Sequence, residues 1–230
     1  MELNALKEII ENDSNLYQLF KGCPFEILNH FETREYPAGT VICRQSEIID
    51  RLFIIIEGYA DIYYLAENGR RYSIITLKKG DVVGEIEILE QRPYSANMEA
   101  YSDLKTLEIS RAYFMKWIGM DQNINLNITR ILSDRFYHLV SKAGKDTLYT
   151  LKYRLCAYLL SRGRQLSQKT TSVELKLDKE KLSEEFAVTS RSINRILRSL
   201  HNKEILEIRP NSIIIKDLEK LAKEENCYDI

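Results

Sequence analysis

Three arginines, Arg191, Arg195 and Arg198, recur at intervals of four and three residues, and no acidic residue falls from Ala187 to Lys203. On a helix, 100° per residue gathers the three guanidiniums on one side with Asn194 and Ser190 beside them. Ile193, Ile196, Leu197 and Leu200 fall on the opposite side. A guanidinium presents a planar fork of donors that pairs bidentately with guanine, an amide pairs with adenine, and each also reaches phosphate. The chemistry on offer is therefore hydrogen bonding to duplex DNA, without a covalent step. An amphipathic helix with a solvated basic face has the same stripe, so the flanking elements decide between the two readings.

Those elements favour a reader. Lys179 to Phe186 reads as a short first helix with Leu182 and Phe186 on its core side. Ala187-Val188-Thr189 is a tight connection, with Thr189 or Ser190 as cap of the second helix. Glu204 to Lys216 then gives two β-rich runs around Pro210-Asn211, a hairpin. Helix, turn, basic helix and hairpin make a winged helix-turn-helix. Lys152, Arg162, Arg164, Lys179 and Arg198 are the expected phosphate contacts.

Upstream the pattern changes. Glycine and proline concentrate before Lys145, with eight of nine glycines and three of four prolines there. Tyr36 to about Ser110 reads as short β-runs broken by turns such as Glu67-Asn-Gly, which predicts a small barrel or roll preceded by short helices near Leu3–Ile10 and Phe25–Phe31. From 123 to 145, Ile124, Ile128, Leu132, Phe136, Leu139 and Ala143 recur every three or four residues. A helix of that length, ~30 Å, exposes its stripe unless a second copy covers it, so Ile124, Ile128, Leu132, Phe136 and Leu139 are the expected dimer interface. Packing wholly within its own subunit is the alternative. A further helix is expected over about Leu151–Ser161.

Charge follows the same division. Net charge is −1, yet Met1–Gly144 carries 16 basic and 21 acidic residues, and Lys145–Ile230 carries 17 basic and 13 acidic. An acidic front and a basic back suit a sensor joined to a DNA reader. Cys23, Cys43, Cys156 and Cys227 are too dispersed for a zinc or iron–sulfur motif, and no metal or cofactor is expected. His30, His138 and His201 give the β-region no histidine ligands, which argues against a cupin-like barrel enzyme. No apolar run approaches a membrane span and no signal peptide is read at the start, so a cytoplasmic protein without a membrane partner is expected.

In their joint order, Tyr36-Pro-Ala-Gly-Thr-Val-Ile, Ile56-Glu-Gly, Gly80-Asp-Val-Val-Gly-Glu85, Ser95-Ala96, the long helix and Leu175–Leu200 resemble the CRP/FNR family of bacterial transcription regulators over essentially the whole chain. The resemblance implies an α+β fold: a cyclic-nucleotide-binding-like β-roll over 1–122, a dimerisation helix over 123–146, and a winged helix-turn-helix over 147–230. It implies a homodimer on a two-fold symmetric DNA site, RNA polymerase as a partner, and no enzymatic activity. By position in the family motif, Ser190, Arg191, Asn194 and Arg195 read base edges.

The family's effector pocket maps onto Gly84, Glu85, Tyr94, Ser95 and Leu139. Cyclic-AMP-binding members hold sugar and phosphate with a Gly-Glu loop and a following Arg-Ser/Thr-Ala. Here Gly84, Glu85, Ser95 and Ala96 match, but Tyr94 stands where the phosphate-pairing arginine belongs, and Glu87 adds a negative charge beside the anion. Leu139 and Val140 occupy the positions that present hydroxyls to the purine. The expectation is a regulator not controlled by cyclic AMP, whose effector is unidentified. A cyclic-nucleotide-responsive regulator with a divergent pocket is the alternative.

Overall fold

The computed structural model describes residues 3–166 and 172–226; Cys227 lies outside them. The chain forms two compact units that divide between Tyr137 and His138, within one long helix.

The first unit opens with helices α1 (Leu3–Glu11), α2 (Ser14–Phe20) and α3 (Phe25–Leu28). Eight strands follow: β1 (Glu32–Tyr36), β2 (Val41–Cys43), β3 (Arg51–Glu57), β4 (Tyr59–Leu65), β5 (Arg71–Lys78), β6 (Val82–Val83), β7 (Asn97–Ala100) and β8 (Leu104–Ser110). The short helix α4 (Glu85–Glu90) interrupts them between β6 and β7. The strands form two antiparallel sheets in the orders β1-β8-β3-β6 and β2-β7-β4-β5. Alternation sends Phe53 and Ile55 of one sheet, and Ala60, Leu77, Met98 and Ala100 of the other, into a shared apolar cluster. The opposite face of β3, with Leu52, Ile54 and Ile56, packs on the helices. Buried Glu108 is held by the Tyr36 hydroxyl at 2.5 Å and by Arg34 and Arg51, which ties β1, β8 and β3 together.

Helix α5 (Arg111–Met120) brings Trp117 against Phe20 and Phe31, and the indole N–H donates to Asp121 at 3.0 Å. Asp121 in turn accepts from the Asn123 backbone at 2.8 Å, at the start of the long helix α6 (Gln122–Leu148).

Here the structure departs from the expected dimer stripe. Ile124 and Ile128 are buried in the first unit's own core, 0% and 4% exposed, and Leu132 packs against the same cluster. The reason is the aromatic nest of Phe20, Phe31, Phe114 and Trp117, which offers these three a cover within the subunit. Phe136 and Leu139 stay exposed, as do Tyr137 and Val140, at 68%, 50%, 72% and 56%.

The second unit contains α7 (Leu151–Leu166), β9 (Val173–Lys176), α8 (Lys179–Glu185), α9 (Ser190–Asn202), β10 (Leu206–Ile208), β11 (Ser212–Ile215) and α10 (Leu218–Asn226). The predicted hairpin is present as β10 and β11, and β9 joins it to give the order β10-β11-β9. One core holds the unit together: Leu155, Leu159, Leu182, Phe186, Ile193, Leu197, Leu200, Ile213 and Leu221 are all buried in it. No described helix is long and apolar enough to cross a membrane.

Candidate functional site

Two places carry the residues singled out by sequence, one in each unit. In the second unit, Asp178 caps α8 by accepting from the backbone of Glu180 and Lys181. Phe186 closes α8, and Ala187 takes the left-handed conformation at φ 54° to turn the chain. Thr189 caps α9, accepting from the Ser192 backbone at 3.2 Å, and Ser190 is the first helical residue. Burial of Ile193, Ile196, Leu197 and Leu200 fixes the rotation of α9, so the opposite face must point to solvent.

That face is a hollow of about 960 Å³ lined by Arg191, Asn194, Arg195, Arg198, Asn202 and Lys203, with Ser192 and Ser199 between them. Arg191, Arg195 and Arg198 are exposed, and no ion pair engages them among the described residues. Their donors are therefore uncommitted. Asn202 and Lys203 extend the face beyond the residues read from sequence; the heptad-like spacing from Arg195 to Asn202 was the available signal. Ser190 is half-buried at the helix start, and Lys179 opens α8, outside the hollow. Arg162 and Arg164 are exposed near the end of α7. Lys152 differs from expectation: its ammonium lies 2.9 Å from Glu224 of α10, which also takes Lys203 at 2.6 Å. Those two lysines hold the Glu224 carboxyl below its usual range, working against its burial.

In the first unit, Gly84, Glu85, Tyr94 and Ser95 come together around α4. Gly84 has φ 92°, and a Cβ there would lie 2.5 Å from the Tyr94 hydroxyl and 2.9 Å from the Arg51 carbonyl. Only glycine fits. Tyr94 is buried, its hydroxyl next to the Cys43 thiol and without a hydrogen-bond partner of ordinary geometry among the described residues. Burial pushes that hydroxyl far above its ordinary range, and pushes the Cys43 thiol up to about 12.

Ser95 is already engaged. Its hydroxyl donates to Glu87 at 3.0 Å and its backbone N–H to the same carboxylate oxygen at 3.3 Å. Glu85 is 1% exposed and forms an ion pair with Arg135 of α6, which also donates to the Val82 carbonyl at 2.6 Å. Burial pushes the Glu85 carboxyl above the usual range, and Arg135 pulls the other way. Arg135 was not read from sequence. A buried carboxylate demands a cation, but the partner stands 50 residues away and no local pattern marks it. Leu139 belongs to the second unit and is half-exposed. Among the described residues no cluster of His, Cys, Asp and Glu could hold a metal ion.

A family model described as "Cyclic nucleotide-binding domain" matches residues 33–121, and one described as "Crp-like helix-turn-helix domain" matches residues 153–224. The chain is 21% identical over 191 residues to the "cAMP-activated global transcriptional regulator CRP" of Salmonella typhimurium, covering 82% of this chain and 91% of that one. It is 22% identical over 193 residues to the "CRP-like cAMP-activated global transcriptional regulator" of Mycobacterium tuberculosis, covering 82% and 86%. Among solved structures, CooA of Carboxydothermus hydrogenoformans (a mutant) superposes with a TM-score of 0.72 at 19% identity, over 93% of this chain and 97% of that one. The c-di-GMP-responsive global regulator CLP of Xanthomonas campestris does so at 0.67 and 18% identity, over 81% and 94%. At these identities the structures bear on the fold alone.

Proposed function

The chain belongs to the CRP/FNR family of transcription regulators, and we propose that it reads a two-fold symmetric DNA site as a homodimer, without control by cyclic AMP. Base edges are read by Ser190, Arg191, Asn194 and Arg195, and phosphates are held by Arg198 and Lys179. The dimer forms along α6 through the residues its own core leaves uncovered: Phe136, Tyr137, Leu139 and Val140. The protein acts in the cytoplasm, with RNA polymerase as the partner that the family resemblance implies.

The observation that carries independence from cyclic AMP is the state of Ser95 and Glu85. Both donors of Ser95 that would meet a phosphate instead hold the Glu87 carboxylate. The carboxylate that would meet a ribose hydroxyl is paired with Arg135. A nucleotide would have to displace an internal anion and break an internal ion pair, with Tyr94 in place of the phosphate-pairing arginine. Forgoing one charge-assisted contact costs about 1.5–3 kcal/mol, roughly ten- to a hundredfold in affinity, before the displaced pairs are counted. The two curated relatives above are described as cAMP-activated, and this reading places the difference from them in these side chains. Calorimetric titration of the purified protein with cyclic AMP is the test. No binding heat at millimolar nucleotide is expected, and saturable micromolar binding would reverse the assignment.

A further inference from the structure

Where α6 hands over to α7, two cations that also reach the end of α8 converge on one carboxylate. Asp146 accepts from the Arg154 guanidinium at 2.5 Å and lies 3.5 Å from the Lys142 ammonium one turn earlier. Lys142 also donates to the Glu185 carbonyl, at the end of α8, at 2.9 Å. The Arg154 guanidinium stands 5.6 Å from the ring centre of Phe186, the residue that closes α8. The link between the two long helices is only Tyr149-Thr150, and Thr150 caps α7 by accepting from the Tyr153 backbone at 3.2 Å.

These charges are not loose surface pairs. Side-chain exposures of Lys142, Asp146 and Arg154 are 24%, 23% and 13%. Exposed pairs contribute little, whereas a part-buried carboxylate shared by two cations, each fixed at a second point, defines an angle. Asp146 thus connects the tail of α6 directly to α7 and, through Lys142 and Arg154, to the helix that precedes the recognition helix.

We propose that Asp146 is a positioning residue that sets the angle between the tail of α6 and the recognition helix α9, and thereby the spacing between half-sites that the dimer accepts. The inference rests on the dimeric-reader function proposed above. A symmetric reader must place two recognition helices one DNA turn apart, about 34 Å. A change of a few ångströms at each α9 therefore costs a base-pair step of register. A stiff junction accepts one spacing; a loosened one accepts its neighbours.

The test selects sites from duplexes carrying two half-sites at varied separation, with the wild-type protein, Asp146→Asn and Arg154→Met, and measures affinity for a single half-site alongside. Wild type is expected to enrich one spacing. Both variants are expected to keep half-site affinity within about twofold, lose about tenfold on the full site, and enrich separations one base pair shorter and longer. Variants that keep the single wild-type spacing would overturn the proposal. So would equal loss on half-site and full site, which marks a damaged fold. If wild type itself enriches no symmetric site, the dimeric-reader function fails, and this inference falls with it by a distinguishable route.

Discussion

Glu87 does most to separate this pocket from one that accepts a phosphate. Its carboxylate takes both donors of Ser95, so the site carries its own anion. The replacement of the expected arginine by Tyr94 and the extra charge at Glu87 are both legible in the sequence, because each sits within the motif that it alters. Arg135 is not legible, because pairing it with Glu85 needs the fold to bring α6 over α4. Gly84 is the tightest position. At φ 92°, with the Tyr94 hydroxyl and the Arg51 carbonyl crowding the place of a Cβ, Gly84→Ala is expected to destabilise the protein by about 2 kcal/mol or more in urea unfolding. A loss within error would mean that the turn relaxes freely. The thiols speak to sensing chemistry. Burial pushes Cys43 up to about 12 and Cys156 up to about 11, and both are 0% exposed. A thiolate is the reactive form, so neither should be labelled by a thiol reagent at neutral pH until the protein is unfolded. Rapid labelling of either in the native state, located by mass spectrometry, would reopen a redox role.

At the scale of elements, α9 was the most readable part of the chain, whereas α6 was readable as a helix but not in its packing. The apolar side of α9 is separated cleanly from its basic side, so its rotation and its turn are legible in the sequence, and its cap is narrowed to Thr189 or Ser190, of which the structure uses Thr189. Arg191→Ala is expected to weaken the preferred DNA site by about 1–3 kcal/mol and to relax specificity at one position in each half-site. An unchanged site preference would remove Arg191 from the readers. Helix α6 carries one apolar stripe over most of its length, and periodicity cannot tell how far along it its own core will reach. The aromatic nest of Phe20, Phe31 and Trp117 claims Ile124 and Ile128, and leaves Phe136, Tyr137, Leu139 and Val140 uncovered. The two halves of the helix should therefore respond differently. Ile128→Ala is expected to cost about 2–5 kcal/mol of stability by opening a cavity while leaving the oligomeric state intact. Phe136→Glu combined with Val140→Glu is expected to give a folded monomer in sedimentation analysis. A folded dimer from that pair would move the interface elsewhere. Strand β9 and helix α10 were missed because both are short: β9 is four residues that gain their place by pairing with β11, and α10 is nine residues whose apolar side packs on the core of the second unit.

For the whole molecule, the charge division read from the sequence matches the division of labour. The acidic first part holds a β-roll in which Ser95 and Glu85 are paired with Glu87 and Arg135 of the same unit, and the basic second part holds the exposed arginines of α9. A near-neutral total would by itself argue against a nucleic-acid partner; its distribution argues for one. The central claim is that this regulator recognises a symmetric DNA site and does so without a nucleotide. Selection of preferred sites from a randomised duplex pool, by the purified protein with and without cyclic AMP, tests it most directly. One two-fold symmetric sequence, enriched equally in both samples, is expected. Enrichment only when cyclic AMP is present, or no symmetric sequence in either sample, would contradict it.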